Sequence, residues 1–225
     1  MSLRHDDGNP WLSIPAVDYE SHMGSPGVLQ LQFLSRAFRD WLDRYRPVTL
    51  AVVGCATGNG FEHIDPSITR TVIGIDIHPE YLALLRDRFS DRIPGLTLEC
   101  MDIAACELPP RSLGLVHCAL VLEYVDPGIV IEKAARWLEP GGLLSVVLQL
   151  PSPGHANVTP TEFASLARLD TVIRLVDPHE LDRGALRSGF SKVESRVETL
   201  ETGKPFYCAV YRLRGSSAGV PEGPA

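Results

Sequence analysis

From Thr49 onward the chain alternates short, almost wholly apolar runs with segments of helical spacing, and few folds accept that rhythm. The runs are VTLAVVG, TRTVIGIDI, GLTLECMD, LGLVHCAL and GGLLSVVLQL. Between them HPEYLALLRDRFSD places Leu82, Leu85 and Phe89 on one helical stripe, the stretch after GNG opens a short helix near His63, and DPGIVIEKAARWLEP reads as a further helix. A strand with no polar alternation is buried on both faces, so every crossover must lay a helix over the sheet. Right-handed crossovers then give an α/β, doubly wound, mostly parallel sheet. The rhythm breaks at the end of the chain. DPHELDRGALRSGF has Asp177 as a cap, Pro178 at the first helical position and Gly189 as a stop. The turn ETGK that joins SKVESRVETL to PFYCAVYRL is too short for a crossover, so those two strands pair antiparallel. The expected sheet is seven-stranded with an antiparallel C-terminal hairpin.

Two segments flank this core. SPGVLQLQFLSRAFRDWLDRYRP carries Leu31, Leu34, Phe38, Trp41 and Tyr45 on one stripe, a packing helix with Ser25 and Pro26 as start signals. PSPGHANVTPTEFASLARLDTVIRLV opens as a Pro/Gly loop, and its Thr159, Pro160 and Glu162 have the spacing of a capping box. The expected organisation is an N-terminal helical segment over 1–47, a main domain over 48–214 and a disordered tail over 215–225. With 225 residues, 44% of them hydrophobic, the chain can bury one sizeable core but not two full domains. A formal charge of −7 and the lack of any basic run argue against nucleic acid. Five cysteines, odd in number and set in apolar runs without metal-ligand spacing, read as reduced, buried thiols, so no metal is expected. MSLRHDDGNP has no secretory apolar core, and no run reaches membrane-spanning length. The expectation is a cytoplasmic protein with no membrane partner.

The glycines after the first strand carry the functional signal. A turn at the carboxyl end of a strand, near the switch point of an open α/β sheet, is where such folds bind ligands. A dinucleotide fingerprint would need glycines where this chain has Gly54, Ala56 and Asn59, and the lysine of a phosphate-binding loop is absent. What remains is G-x-A-x-G-x-G, with the acidic Asp76 closing the second strand in GIDI. Together with CMDIAACELP, LGLVHCALVLEYVDP and AARWLEPGGLLSVV, these motifs resemble the class I S-adenosylmethionine-dependent methyltransferase family over roughly Thr49 to Arg212.

The resemblance implies a Rossmann-like fold, S-adenosyl-L-methionine as cofactor, and direct in-line methyl transfer to a small-molecule acceptor, with a homodimer left open. It assigns the cofactor turn to Gly54, Cys55, Ala56, Gly58 and Gly60, and both ribose hydroxyls to Asp76. Ile77 would lie against the adenine face, Asp102 would receive the adenine amino group with Ile103 alongside, and backbone carbonyls near Gly54 and His117 would face the ammonium and sulfonium. The turn glycines let backbone approach a ligand, and a following helix N-terminus favours a carboxylate. Asp102 serves equally as a turn aspartate. Candidate catalytic groups are His117, His22 and Tyr19, the last two as a lid over the methyl donor. Glu123, Tyr124 and His155 are further polar groups at the mouth, although His117 fits a structural hydrogen-bonding role and Glu123 a solvated helix. Two departures stand out: Val52 where the family carries an acidic residue, and Ala56 in place of a glycine. They keep a second reading open, a non-catalytic regulatory or partner protein that binds S-adenosylmethionine or S-adenosylhomocysteine. The Asn-Pro-Pro-Tyr type motif of enzymes that methylate nucleic acid bases is absent.

Overall fold

A computed structural model describes residues 8–215, so the expected tail lies, from residue 216 on, outside the described residues. The strands are β1 (Thr49–Val53), β2 (Thr71–Asp76), β3 (Leu96–Cys100), β4 (Leu113–Ala119), β5 (Leu138–Gln149), β6 (Phe190–Thr199) and β7 (Pro205–Leu213). The helices are α1 (Ala16–Gly24), α2 (Gln30–Tyr45), α3 (Pro79–Phe89), α4 (Pro127–Trp137) and α5 (Pro178–Arg187), with short 3₁₀ helices at Pro10–Ser13, Phe61–His63 and Ala164–Thr171. The sheet runs in the order β3-β2-β1-β4-β5-β7-β6. All pairs among the first five strands are parallel, and β7 lies antiparallel to both β5 and β6. Strand order reverses between β1 and β4, and their carboxyl ends open the crevice that such a reversal creates.

Alternation along the strands divides the core in two. Ala51, Val53, Val116, Cys118, Val146 and Leu148 face α4 and α5, where Val130, Ala134, Trp137 and Leu181 cover them. Leu50, Val52, Leu115 and Val147 face α2 and α3, against Phe33, Phe38, Trp41, Leu82, Leu85 and Phe89. Asp177 caps α5 by accepting from the His179 amide, and Gly189 leaves that helix at φ +89°, a conformation that favours glycine.

Three local expectations fail. Helix α2 begins at Gln30, after Leu29 in a left-handed conformation, because Ser25 already closes α1 by donating its amide to the His22 carbonyl. Thr159, Pro160 and Glu162 cap nothing: the next helix is a 3₁₀ piece starting at Ala164, with no side-chain cap on Phe163. Helix α4 ends at Trp137 rather than running through LEP, since Leu138 already pairs with Leu113 in the sheet. Cys100 is exposed, while the four other free cysteines are buried as expected. Among the described residues no helix is long and apolar enough to cross a membrane.

Candidate active site

The turn after β1 folds back on β2: the amides of Gly54 and Cys55 both donate to the Ile75 carbonyl, at 2.8 and 3.2 Å. Gly54 holds φ +67°, and a Cβ there would sit 2.8 Å from Val121, so no larger residue fits. Ala56, at φ +45°, donates its amide to Asp76 Oδ2 at 2.9 Å, and the His78 amide donates to Oδ1 at 2.9 Å. Burial raises the Asp76 pKa, while these amides pull it back. Ile77, Met101, Asp102 and Ile103, from the ends of β2 and β3, continue the wall of one cavity with Gly54, Ala56 and Asp76. Asp102 is exposed, and its Oδ1 accepts from the Ala104 amide at 2.7 Å, the turn role that its position also allows.

The roof comes from upstream and downstream. Trp11, Tyr19, His22 and Met23 line the cavity, as do Leu166 and Leu169 of the 3₁₀ helix after β5. Trp11 meets Tyr19 and Tyr124 edge-on, with ring centroids 6.1 and 4.9 Å apart. Helix α1 is tied down at both sides. Glu20 Oε1 accepts from Thr57 Oγ1 at 2.5 Å and pairs with Arg88 of α3; Ser165 donates to Asp18 Oδ2 at 2.6 Å; and His22 Nδ1 lies 2.9 Å from Thr161 Oγ1. Burial, and then Lys204, lowers the His22 pKa and keeps the ring neutral.

The structure therefore brings Gly54, Ala56, Asp76, Ile77, Asp102, Ile103, Tyr19 and His22 to one cavity and leaves others out. His117 points the other way, into the α2 side of the core: it stacks on Phe38 at 4.4 Å, lies 2.9 Å from Ser145 Oγ, and burial pushes its pKa down to about 3. It stands two residues before the end of β4, on the face opposite Cys118. Cys55 is buried among core residues with a thiol pKa pushed up by burial. Gly58 and Gly60, at φ +89° and +87°, are needed where Phe89 and Phe38 press on the turn, at 2.9 and 2.7 Å from a hypothetical Cβ. None of these four lines the cavity, nor does His155, which sits 3.0 Å from Ser152 Oγ on an exposed loop.

Glu123 does reach the cavity, as one of the polar groups expected at its mouth, and it is not the solvated helix residue that the sequence equally allowed. It lies in the turn after β4, 2% exposed, and lines the cavity. Its Oε1 accepts from the Gln149 amide at 2.7 Å, and Oε2 has no partner among the described residues. Desolvation raises its pKa to about 7. Trp11, Gln30, Tyr81 and Asn157 are among the further lining residues that no motif announces; the sequence signals were an aromatic in a segment with no core of its own, and a glutamine, Gln149, closing an apolar strand.

Residues 51–146 match the family model of a methyltransferase domain. An uncharacterised methyltransferase-like protein of Schizosaccharomyces pombe is 28% identical over 95 residues, 42% of this chain and only 36% of the length of that relative. Among solved structures, the N-methyltransferase NodS of Bradyrhizobium japonicum WM9, in complex with S-adenosyl-L-homocysteine, superposes with a TM-score of 0.64 at 16% identity, covering 89% of this chain and 98% of that one. The [4+2]-cyclase SpnF superposes with a TM-score of 0.66 at 16% identity, covering 81% and 82%. At such identities these two neighbours establish the fold.

Proposed function

We propose, from the match of residues 51–146 to a methyltransferase domain, that the chain is a class I, S-adenosylmethionine-dependent methyltransferase that transfers a methyl group to a small molecule enclosed beneath α1. The observation that carries this reading is Asp76, held at the end of β2 by the Ala56 and His78 amides and open to the cavity. Each amide uses one lone pair of a carboxylate oxygen, so each oxygen can accept a further hydroxyl, as a ribose diol requires. Ile77, Ile103 and Val121 line the same cavity with the apolar surface that an adenine ring needs. The chain's residues thus fit the cofactor. When bound, S-adenosylmethionine supplies a methyl group already activated on a positively charged sulfur.

The chain's own contribution is enclosure and alignment. Trp11, Tyr19, Leu166 and Leu169 roof the cavity and exclude water, which strengthens every polar contact inside it. His117 is no catalytic base in this reading, because its ring is buried against Phe38 and stays neutral to about pH 3. Val52, the first departure from the family pattern, packs against the α2 side of the core, outside the cavity lining. The neighbour named a cyclase is reason to test transfer as well as binding.

Calorimetry with S-adenosylhomocysteine is expected to give a micromolar Kd, about −8 kcal/mol. Asp76→Ala should weaken it by about 1.5–3 kcal/mol. Unchanged affinity would remove Asp76 from the site. Incorporation of a labelled methyl group into an acceptor library then separates an enzyme from a binding protein.

A further inference from the structure

Glu123 has no role in cofactor binding as described above, yet it is the most unusual side chain in the cavity. A buried carboxyl normally finds partners for both oxygens or loses its charge. Here Oε1 takes the Gln149 amide, and Oε2, covered by its neighbours, takes nothing, so a ligand reaches it only by displacing a side chain that covers it. No ion pair among the described residues includes Glu123. Among the described residues no Lys, Arg or His side chain bonds its carboxylate. Arg174 reaches it only by a backbone amide that donates to the Glu123 carbonyl at 2.9 Å, His22 of the same cavity has its pKa lowered by burial, and the Lys204 ammonium donates to the Asn157 carbonyl at 2.7 Å. The rings of Trp11, Tyr19 and Tyr124 line the same cavity, and aromatic faces attract cations.

We propose that the acceptor is an amine with an apolar body, and that the free oxygen of Glu123 binds its ammonium and takes its proton. The inference rests on the methyltransferase reading and deepens it. An anionic acceptor would be repelled by the carboxylate, and an alcohol would gain a hydrogen bond without the charge. The ammonium gives one proton to the Glu123 carboxylate, which frees the nitrogen lone pair. That pair forms the nitrogen–carbon bond to the methyl group while the carbon–sulfur bond breaks and its electrons stay on sulfur. The methylated ammonium leaves, and Glu123 returns its proton to solvent. A carboxyl tuned near neutrality can both take and return that proton.

The test uses full-length protein saturated with S-adenosylhomocysteine, and matched probes: 2-phenylethylamine and 2-phenylethanol, titrated by calorimetry at about pH 8. The amine is expected to bind at least about tenfold more tightly than the alcohol, and Glu123→Gln to reduce that ratio below about threefold while S-adenosylhomocysteine affinity stays within about twofold. If the variant does not fold, the wild-type ratio should itself collapse as pH falls to about 5.5 and Glu123 becomes protonated. Equal binding of the two probes, or no amine binding at millimolar concentration, overturns the proposal. So does loss of S-adenosylhomocysteine affinity in Glu123→Gln, which would make Glu123 a cofactor ligand. Failure of wild-type protein to bind S-adenosylhomocysteine would instead defeat the methyltransferase reading underneath.

Discussion

The floor and the roof of the cavity are held by different means. Below, the glycine turn and Asp76 are fixed by backbone: strand register, amides folded onto Ile75, and amides aimed at one carboxylate. Above, α1 is fixed by side chains that bridge distant stretches, such as Ser165 to Asp18 across 147 residues and His22 to Thr161 across 139. Backbone-built structure yields only with the sheet, whereas hydrogen bonds between partly exposed side chains can be broken one at a time. The floor should thus fail globally and the roof locally.

The most severe way to break that contrast is Val52→Asp. Val52 is 6% exposed, paired in register with Gly74 and His117, and packed among the α2 side chains. An unpaired carboxylate there should lower stability by about 4 kcal/mol, visible as a large drop in the urea midpoint. A variant of near wild-type stability would mean that the floor tolerates charge and is less rigid than its register implies.

Glu123 lines the cavity between floor and roof, and the pH dependence that differs between wild type and Glu123→Gln isolates it from the titrations of Asp76 and His22. Its pKa is raised from 4.5 to about 7, so the folded protein favours the protonated form. Below the ordinary value both states are protonated and nothing is lost. As pH rises toward about 7 the unfolded chain ionises first, and stability should fall by something on the order of 3 kcal/mol before levelling off. Glu123→Gln should remove this slope. Equal slopes in the two proteins would mean that Glu123 is solvated after all.

How much of this the sequence disclosed follows the same division. Strand count, hairpin, glycine turn and Asp76 were all legible, because period and turn chemistry are local properties of the backbone. Tyr19 and His22 were legible only as a guess about coverage, and Trp11 not at all, since the packing of Trp11 and Tyr19 with Tyr124 and the Ala164–Thr171 helix, and of His22 with Thr161, joins segments with no common motif. His117 was misplaced by alternation: the strand end was correct, but the side chain lies on the other face. Glu123 was legible as a polar group at the mouth, but a solvated helix residue fitted its stretch of sequence equally well. Its burial depends on the roof.

Glu20→Ala tests the roof alone. It removes the partner of Thr57 and Arg88 and leaves the sheet intact. Amide protection over 18–24 should drop about fivefold, roughly 1 kcal/mol, with global stability changed by no more than about 0.5 kcal/mol. Arg88 holds the Glu20 pKa below 4.5, so this tie is complete above that value and is lost as pH falls through the lowered one. The same exchange experiment in mild acid should reproduce the variant in wild-type protein. A coincident fall in global stability would show that roof and floor are one cooperative unit.

The smallest expected effect is the most discriminating for the floor. Ala56 holds φ +45°, a left-handed conformation that costs an L-residue about 1 kcal/mol and glycine almost nothing. Ala56→Gly relieves that strain but gives the unfolded chain more freedom, a term of about 0.4–1 kcal/mol in the opposite direction. The two nearly cancel, so stability should move by less than about 0.5 kcal/mol. The amide that donates to Asp76 is backbone and survives the change, so S-adenosylhomocysteine affinity should stay the same or rise slightly. Calorimetry and a urea titration on one preparation suffice. If affinity fell by about tenfold, 1.4 kcal/mol, with stability intact, the Ala56 methyl would itself be touching the ligand. The turn would then hold its ligand with a side chain, and the backbone-built floor would end at β1.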